Sequence, residues 1–299
     1  MILNIPRRWL VFALTTLLFV MSQFYRVSMT VITPQLTADL SLSHQQLGTC
    51  SAMFFYPFAL AQIPLIIYLD RIGARLSMTV LTLIGIGGAI VFAMAQSFSV
   101  LLLGRILLGI GMACNLVGSL KLISQWFSPN KFATLTALIA SFGTTGNLLA
   151  ATPLVYLVQM IGWRFAYGFF ALFNLLLVCL FFTVVKDKPD KNPSNEEVKK
   201  DIKELASPLF GIKQLFSMKD YWMISLGAFC RYGIFAAVQA LWAGPFLIEV
   251  MKYSNVVTGN LLLLLNIGLI IGGPFLGVMS DSILKSRKIV IVTGLMGIA

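Results

Sequence analysis

Residues 65–75 read LIIYLDRIGAR: an apolar run that ends in Asp70-Arg71, passes Gly73 and closes on Arg75. A chain reads this way where it leaves a bilayer, because an Asp, Lys or Arg at the centre of a spanning helix costs about 2.5–3.5 kcal/mol. Gly73 permits a tight turn. Arg71 and Arg75 can hold Asp70, or a neighbouring helix end, by charge-assisted hydrogen bonds. Apolar stretches long enough to cross lie on both sides, 45–69 before the turn and 76–95 after it.

A spanning helix needs about 20 apolar residues at 1.5 Å each to cross a hydrocarbon core about 30 Å thick. Eight stretches qualify: 9–36, 45–69, 76–95, 100–125, 133–159, 163–185, 221–248 and 256–279. A ninth begins near Ile289, but only about eleven residues remain before Ala299. That is too few to cross, so the chain is expected to be a C-terminally truncated piece, inactive by itself.

Composition agrees. Of 299 residues, 58% are hydrophobic and 11% charged, against about 25% charged in soluble domains. The fold class is therefore an all-α membrane protein. The net charge of +11 invites a nucleic-acid reading, but the charges fall in short loops between apolar runs, so no nucleic-acid partner is expected. Cys50, Cys114, Cys179 and Cys230 lie inside apolar stretches without CxxC spacing, and His44 is the sole histidine. No metal, no cofactor and no enzymatic activity is expected: GxSxG and HExxH patterns are absent and no acid lies at mid-membrane depth. Trp9, Trp163 and Tyr221, near span ends, read as interfacial anchors.

Alternate loops carry the cations: Arg7 and Arg8; Arg71 and Arg75; Lys131; residues 186–219; then Lys285, Arg287 and Lys288. The intervening loops carry almost none. By the positive-inside rule the N-terminus faces the cytoplasm, in a multi-pass protein of the cell (inner) membrane. Residues 186–219 are charged and interrupted by Pro189, Pro193 and Pro208, so they form a cytoplasmic linker, with a short amphipathic helix expected around 196–205. The expected organisation is a six-helix bundle over 1–185, the linker over 186–219 and a partial second bundle over 220–299.

The opening turn recurs. After the eighth span the chain reads Gly277-Val278-Met279-Ser280-Asp281, then Lys285, Arg287 and Lys288; Asp70 and Asp281 are 211 residues apart. Pro34-Gln35-Leu36 matches Pro245-Phe246-Leu247 at the same offset, and Phe24-Tyr25-Arg26 corresponds to Phe229-Cys230-Arg231 at 205. Short matches in order, at equivalent topological places, indicate a six-plus-six repeat.

With these features the sequence resembles the major facilitator superfamily over essentially its whole length. Asp70, Arg71, Gly73 and Arg75 match the family loop pattern Gly-x-x-x-Asp-Arg-x-Gly-x-Arg, with Ile66 in place of the leading glycine and Ala74 in place of a basic residue. Arg105-x-x-x-Gly109-x-Gly111 and Gly162-Trp163-Arg164 are similar to family patterns in spans four and six. Arg26 before Pro34, and Arg231-Tyr232-Gly233, resemble the organophosphate:phosphate antiporter branch. The stretches from Lys121 to Lys131 and from Ala240 to Pro245 are more like a bacterial group related to lysosomal dipeptide transporters. The resemblance implies two six-helix bundles, here with an incomplete second one, and secondary transport by alternating access in a monomer. It also implies a small-molecule substrate, with a coupling ion or counter-substrate.

Arg26 and Arg231 lie inside spans one and seven, and Lys121 in the cytoplasmic half of span four. Such expensive residues usually face the bundle interior or a wet cavity. A substrate carrying its own carboxylate or phosphate would supply their counter-charge, and Arg pairs bidentately with both groups. The expected substrate-binding set is Arg26, Arg231, Lys121, Gln23, Tyr56, Gln239 and Trp242, with Gln62, Asn115, Asn147 and Asn266 as further polar candidates. The expected gating set is Asp70, Arg71, Gly73, Arg75, Arg105, Gly277 and Asp281. The competing reading of each cation is structural: it bonds helix carbonyls or snorkels. Alternatives for function are an amino-acid or dipeptide transporter, or a non-transporting membrane sensor or scaffold.

Overall fold

The computed structural model describes residues 6–189, 214–237, 246–253, 255–284 and 286–296, and these form helices without a strand. The expected amphipathic helix around 196–205 lies outside them. Helix α1 (Arg7–Leu40) starts behind Pro6 and stops at Ser41, a left-handed residue with φ 50° whose N–H returns to the Thr37 carbonyl. Helix α2 (His44–Ile72) begins with a capping box: the Gln46 N–H donates to Ser43 Oγ at 3.2 Å and the Ser43 N–H to Gln46 Oε1 at 2.9 Å. Two orphan donors at the helix start are thereby satisfied reciprocally.

Helix α3 (Ala74–Ala93) follows after one residue. The fourth apolar stretch is two helical pieces, α4 (Phe98–Met112) and α5 (Asn115–Trp126), joined by a tightened turn in which the Ala113 N–H bonds the Ile110 carbonyl. Helices α6 (Phe132–Leu149) and α7 (Thr152–Val184) divide the next two stretches differently from the sequence reading. The expected fifth span, 133–159, breaks at residues 150–151, because Pro153 has no N–H to continue the ladder. The chain bends again at Gly162, with φ 79° and ψ 158°. Further along the chain come α8 (Lys219–Ala237), a wide turn Phe246–Val250, α9 (Asn255–Val278), a second wide turn Met279–Ile283 and α10 (Arg287–Met296).

Among the described residues, five stretches are long and apolar enough to cross a membrane: Arg7–Met29, Ala74–Ala93, Phe98–Trp126, Pro129–Leu149 and Pro153–Val184. Their outer faces are greasy; Phe165, Leu176 and Leu180 on α7 all stand exposed. An apolar surface of this extent is tolerable where lipid is the solvent, since soluble monomers keep such patches small.

The chain divides into two compact units, Met1–Pro189 with Ile270–Ala299, and Asp190–Leu269. In the first, α4 packs between α2 and α3, while α1 lies against α5, α6 and α7. The closest crossing is α3 on α4: a Cβ on Gly88 would stand 2.6 Å from the Leu108 nitrogen and one on Gly111 would collide with the Gly85 backbone. Small residues let membrane helices approach in this way. Tyr167, Ala171, Asn174, Val178 and Phe181, one stripe of α7, are buried, and Tyr167 stacks on Phe92 at 4.4 Å between ring centroids.

The second unit holds α8 and the start of α9. Trp222 at the head of α8 donates its indole N–H to the Phe216 carbonyl at 2.8 Å and packs beside Phe216 and Tyr221.

Candidate functional site

The motif turn is built on one residue. Gly73, with φ 93° and ψ 153°, ends α2 and starts α3, a conformation that L side chains rarely adopt. A Cβ there would also stand 2.7 Å from Asp187 Oδ2. Asp187, just beyond α7, accepts the Arg75 N–H at 2.8 Å and so caps the positive N-terminus of α3.

The Arg75 guanidinium donates to the Phe182 carbonyl at 3.0 and 2.6 Å and lies 4.2 Å from the Phe182 ring centroid. Arg7 donates to the Val184 carbonyl at 3.2 and 3.0 Å, and the Trp126 indole to the Lys186 carbonyl at 2.8 Å. Donors from the ends of α1 and α3 thus converge on the last carbonyls of α7, the groups a helix leaves unsatisfied at its negative end, and the end of α5 holds the chain just beyond them. The Asp70 carboxylate is held by Lys121 of α5, rather than by Arg71 or Arg75.

The second copy of the turn makes a different contact. Asp281 Oδ2 accepts both the backbone N–H and the hydroxyl of Thr134, each at 2.8 Å, in the first turn of α6. Gly277 makes the approach possible: a Cβ there would stand 3.1 Å from both Thr134 Cα and Ala137 Cβ.

Arg26 is half-buried on α1, its guanidinium 5.1 Å from the Phe55 ring centroid of α2. Gln23, one turn earlier, is half-buried beside Gly146 of α6, and Tyr56 is 63% exposed next to Phe55. The structure therefore places Arg26, Gln23 and Tyr56 on neighbouring helices of one bundle. Lys121 is placed apart, on the Asp70 turn. Gln239 and Trp242 lie outside the described residues, as do the side chains of Arg231 and Asn266.

Arg105 is fully buried. It donates to the Cys50 carbonyl at 3.1 Å and the Tyr25 carbonyl at 3.0 Å, and lies 4.9 Å from the Phe54 ring centroid, fastening α4 to α1 and α2. Asn115 is likewise internal, accepting from Thr82 at 3.2 Å and donating to the Leu18 carbonyl at 3.3 Å. At the opposite end from the motif turn, Asp39 accepts the Trp163 indole N–H at 2.8 Å and Arg164 at 2.5 Å, and Arg164 also donates to the Ala95 carbonyl at 3.1 Å. Those two donors, the indole first, hold the Asp39 carboxyl below the usual carboxylate range. Trp163 is buried against Phe92, not set out at an interface as the sequence reading has it.

Sequence reasoning missed Asp187, Thr134 and the Asp39 cluster as motif partners. Asp39 and Gly162-Trp163-Arg164 were visible as isolated features; their meeting required the fold.

The model of the Major Facilitator Superfamily matches residues 12–299. The chain belongs to that superfamily. It is 25% identical to an uncharacterised transporter, YybO of Bacillus subtilis, over 80% of this chain and 57% of that protein. It is 24% identical to a probable sulfoacetate transporter, SauU of Cupriavidus necator, over 98% and 71%. A hexuronate transporter of Bacillus subtilis is 25% identical over 90% and 65%. The chain therefore spans between 57% and 71% of the length of these relatives. The E. coli fucose:proton symporter FucP shares the fold, with TM-score 0.66 and 15% identity over 92% of this chain and 72% of that one. Superfamily membership makes this a multi-pass helical membrane protein and agrees with the major facilitator fold expected from sequence.

Proposed function

We propose that the whole protein is a secondary transporter that carries a small organic anion, bearing a carboxylate, sulfonate or phosphate, by alternating access. The observation that carries the anion reading is Arg26, a guanidinium half-buried within the first apolar stretch and set beside the Phe55 ring of α2. A cation at that depth is costly and marks a substrate path more often than a lipid-facing position. Two relatives are named for sulfoacetate and hexuronate, both anions. Arg231, at the corresponding place in the repeat, is the second proposed ligand, with Gln239 and Trp242 further along the same apolar stretch. Lys121, held by Asp70, serves the gate rather than the substrate.

The gating set is Asp70, Arg71, Gly73, Arg75, Gly277 and Asp281, with Arg105 keeping α1, α2 and α4 in register. Asp281 on the first turn of α6 is a bond that can be made in one state and released in the other. The proposed organisation is a bundle over 1–185, a cytoplasmic linker over 186–219 and the second bundle from 220. In it the N-terminus and the motif turns face the cytoplasm.

Counterflow in proteoliposomes loaded with organic carboxylates, sulfonates, sugar phosphates, neutral sugars or dipeptides tests this. Exchange restricted to anionic solutes is the expected result. Exchange of neutral sugars alone overturns the anion reading, and binding of an anion with no flux of any solute favours a sensor.

A further inference from the structure

A groove of about 400 Å³ runs along the surface of the first unit, walled by α2 and α3 and floored by Ile110 of α4. On α2 its lining extends from Ala61 to Ile72 and on α3 it includes Leu76 and Val80. The walls are almost wholly apolar, and the Ser77 hydroxyl is turned away to the Gly73 carbonyl at 2.7 Å. Tyr68, Ile72, Leu76 and Val80 are each about half exposed, at 46–50%, so the groove opens sideways rather than into the bundle.

Its length and its charge define an occupant. Ala61 to Ile72 is twelve residues of helix, a rise of about 16 Å, and one leaflet of a hydrocarbon core about 30 Å thick is close to that depth. At the motif end stands Arg71, on the same stripe of α2 as the groove residues Pro64 and Tyr68 at i, i+4 and i+7. The other charges of the turn are committed, Asp70 to Lys121 and Arg75 to the Phe182 carbonyl. Arg71 is exposed and forms no hydrogen bond or ion pair among the described residues.

We infer that this groove takes one acyl chain of an anionic phospholipid from the leaflet at the Arg71 end, with the lipid phosphate beside the Arg71 guanidinium. The apolar walls exchange lipid contacts for protein contacts along one chain. The guanidinium presents a planar fork of donors suited to a phosphate. The headgroup preference comes from the net negative charge, because a zwitterionic lipid brings its own cation to the same place.

The test is native mass spectrometry of the chain in detergent, titrated with phosphatidylglycerol and phosphatidylcholine of identical acyl chains. One phosphatidylglycerol should be retained over phosphatidylcholine by about fivefold, the preference one basic residue gives near an anionic headgroup. Arg71→Gln should lower phosphatidylglycerol to the phosphatidylcholine level, and Val80→Trp, which fills the groove, should lower both. Ala61→Leu, a smaller filling change, should act as Val80→Trp does while leaving helicity by circular dichroism unchanged. A preference that survives Arg71→Gln, or retention of both lipids unaltered by both filling changes, overturns the inference. So does a dimer that forms without retained lipid and is dispersed by Val80→Trp.

Discussion

The Lys121 ammonium on α5 grips the Asp70 carboxylate at the end of α2, so the acid of the motif turn is neutralised from a different helix than its flanking arginines. Both groups are open to solvent, with side-chain exposures of 29% and 72%. A surface pair of this kind is worth about 0.2–1 kcal/mol. A double-mutant cycle of Lys121→Ala and Asp70→Ala, read by thermal unfolding in detergent, should give a coupling energy in that range. A larger coupling would show that the pair is desolvated in the membrane.

The Asp281–Thr134 contact is the stronger joint, since a carboxylate accepting two bonds at a helix N-terminus is charge-assisted twice over. Asp281→Asn should shift the conformational equilibrium of the whole protein by about 1.5–3 kcal/mol, roughly 10- to 150-fold. Spin-label distances across the motif face should lengthen in Asp281→Asn, and an unchanged distance distribution would remove Asp281 from the gate.

How much of this was legible in the sequence depends on the range of the signal. The turn at Gly73 was legible because it is local: glycine after a charged pair between two apolar runs. The break at residues 150–151 had a local signal too, in Pro153, but the long apolar run around it masked the division. The capping box of Ser43 and Gln46 stood in plain sequence. What stayed hidden were the partners at long range. Asp70 had two basic residues within reach by sequence logic, Arg71 and Arg75, and only packing of α5 on the turn brings Lys121 to it. Arg105 appeared as an arginine-glycine pattern, yet its bonds to the Tyr25 and Cys50 carbonyls follow from where α4 crosses α1 and α2.

Arg105→Ala should destabilise the protein strongly, because it removes two charge-assisted hydrogen bonds to buried carbonyls, at about 1.5–3 kcal/mol each, and opens a cavity beside Phe54. Arg105→Lys should recover part of the loss, since one ammonium cannot reproduce the guanidinium fork. Thermal unfolding of the two variants, ordered wild type, Lys, Ala, checks this; equal midpoints would mean that the arginine does not fasten the helices.

Acid should weaken the Asp39 cluster. The folded carboxyl sits below its ordinary value, so its contribution is complete above about pH 4 and is lost as pH falls through the folded pKa. Between pH 5 and pH 3 the wild type should lose more thermal stability than Asp39→Asn, which has no charge to neutralise. Identical acid limbs would show that the Trp163 and Arg164 bonds do not depend on the ionised carboxyl.

Affinity of the whole protein for an organic anion identified by counterflow, measured by titration calorimetry on wild type and Arg26→Ala, goes to the heart of the proposed mechanism. A charged hydrogen-bonding group lost from the site should weaken binding by roughly 10- to 150-fold, with Arg231→Ala giving a similar loss. Anion affinity that is the same in wild type and both variants would contradict a carrier whose substrate is held by these two arginines.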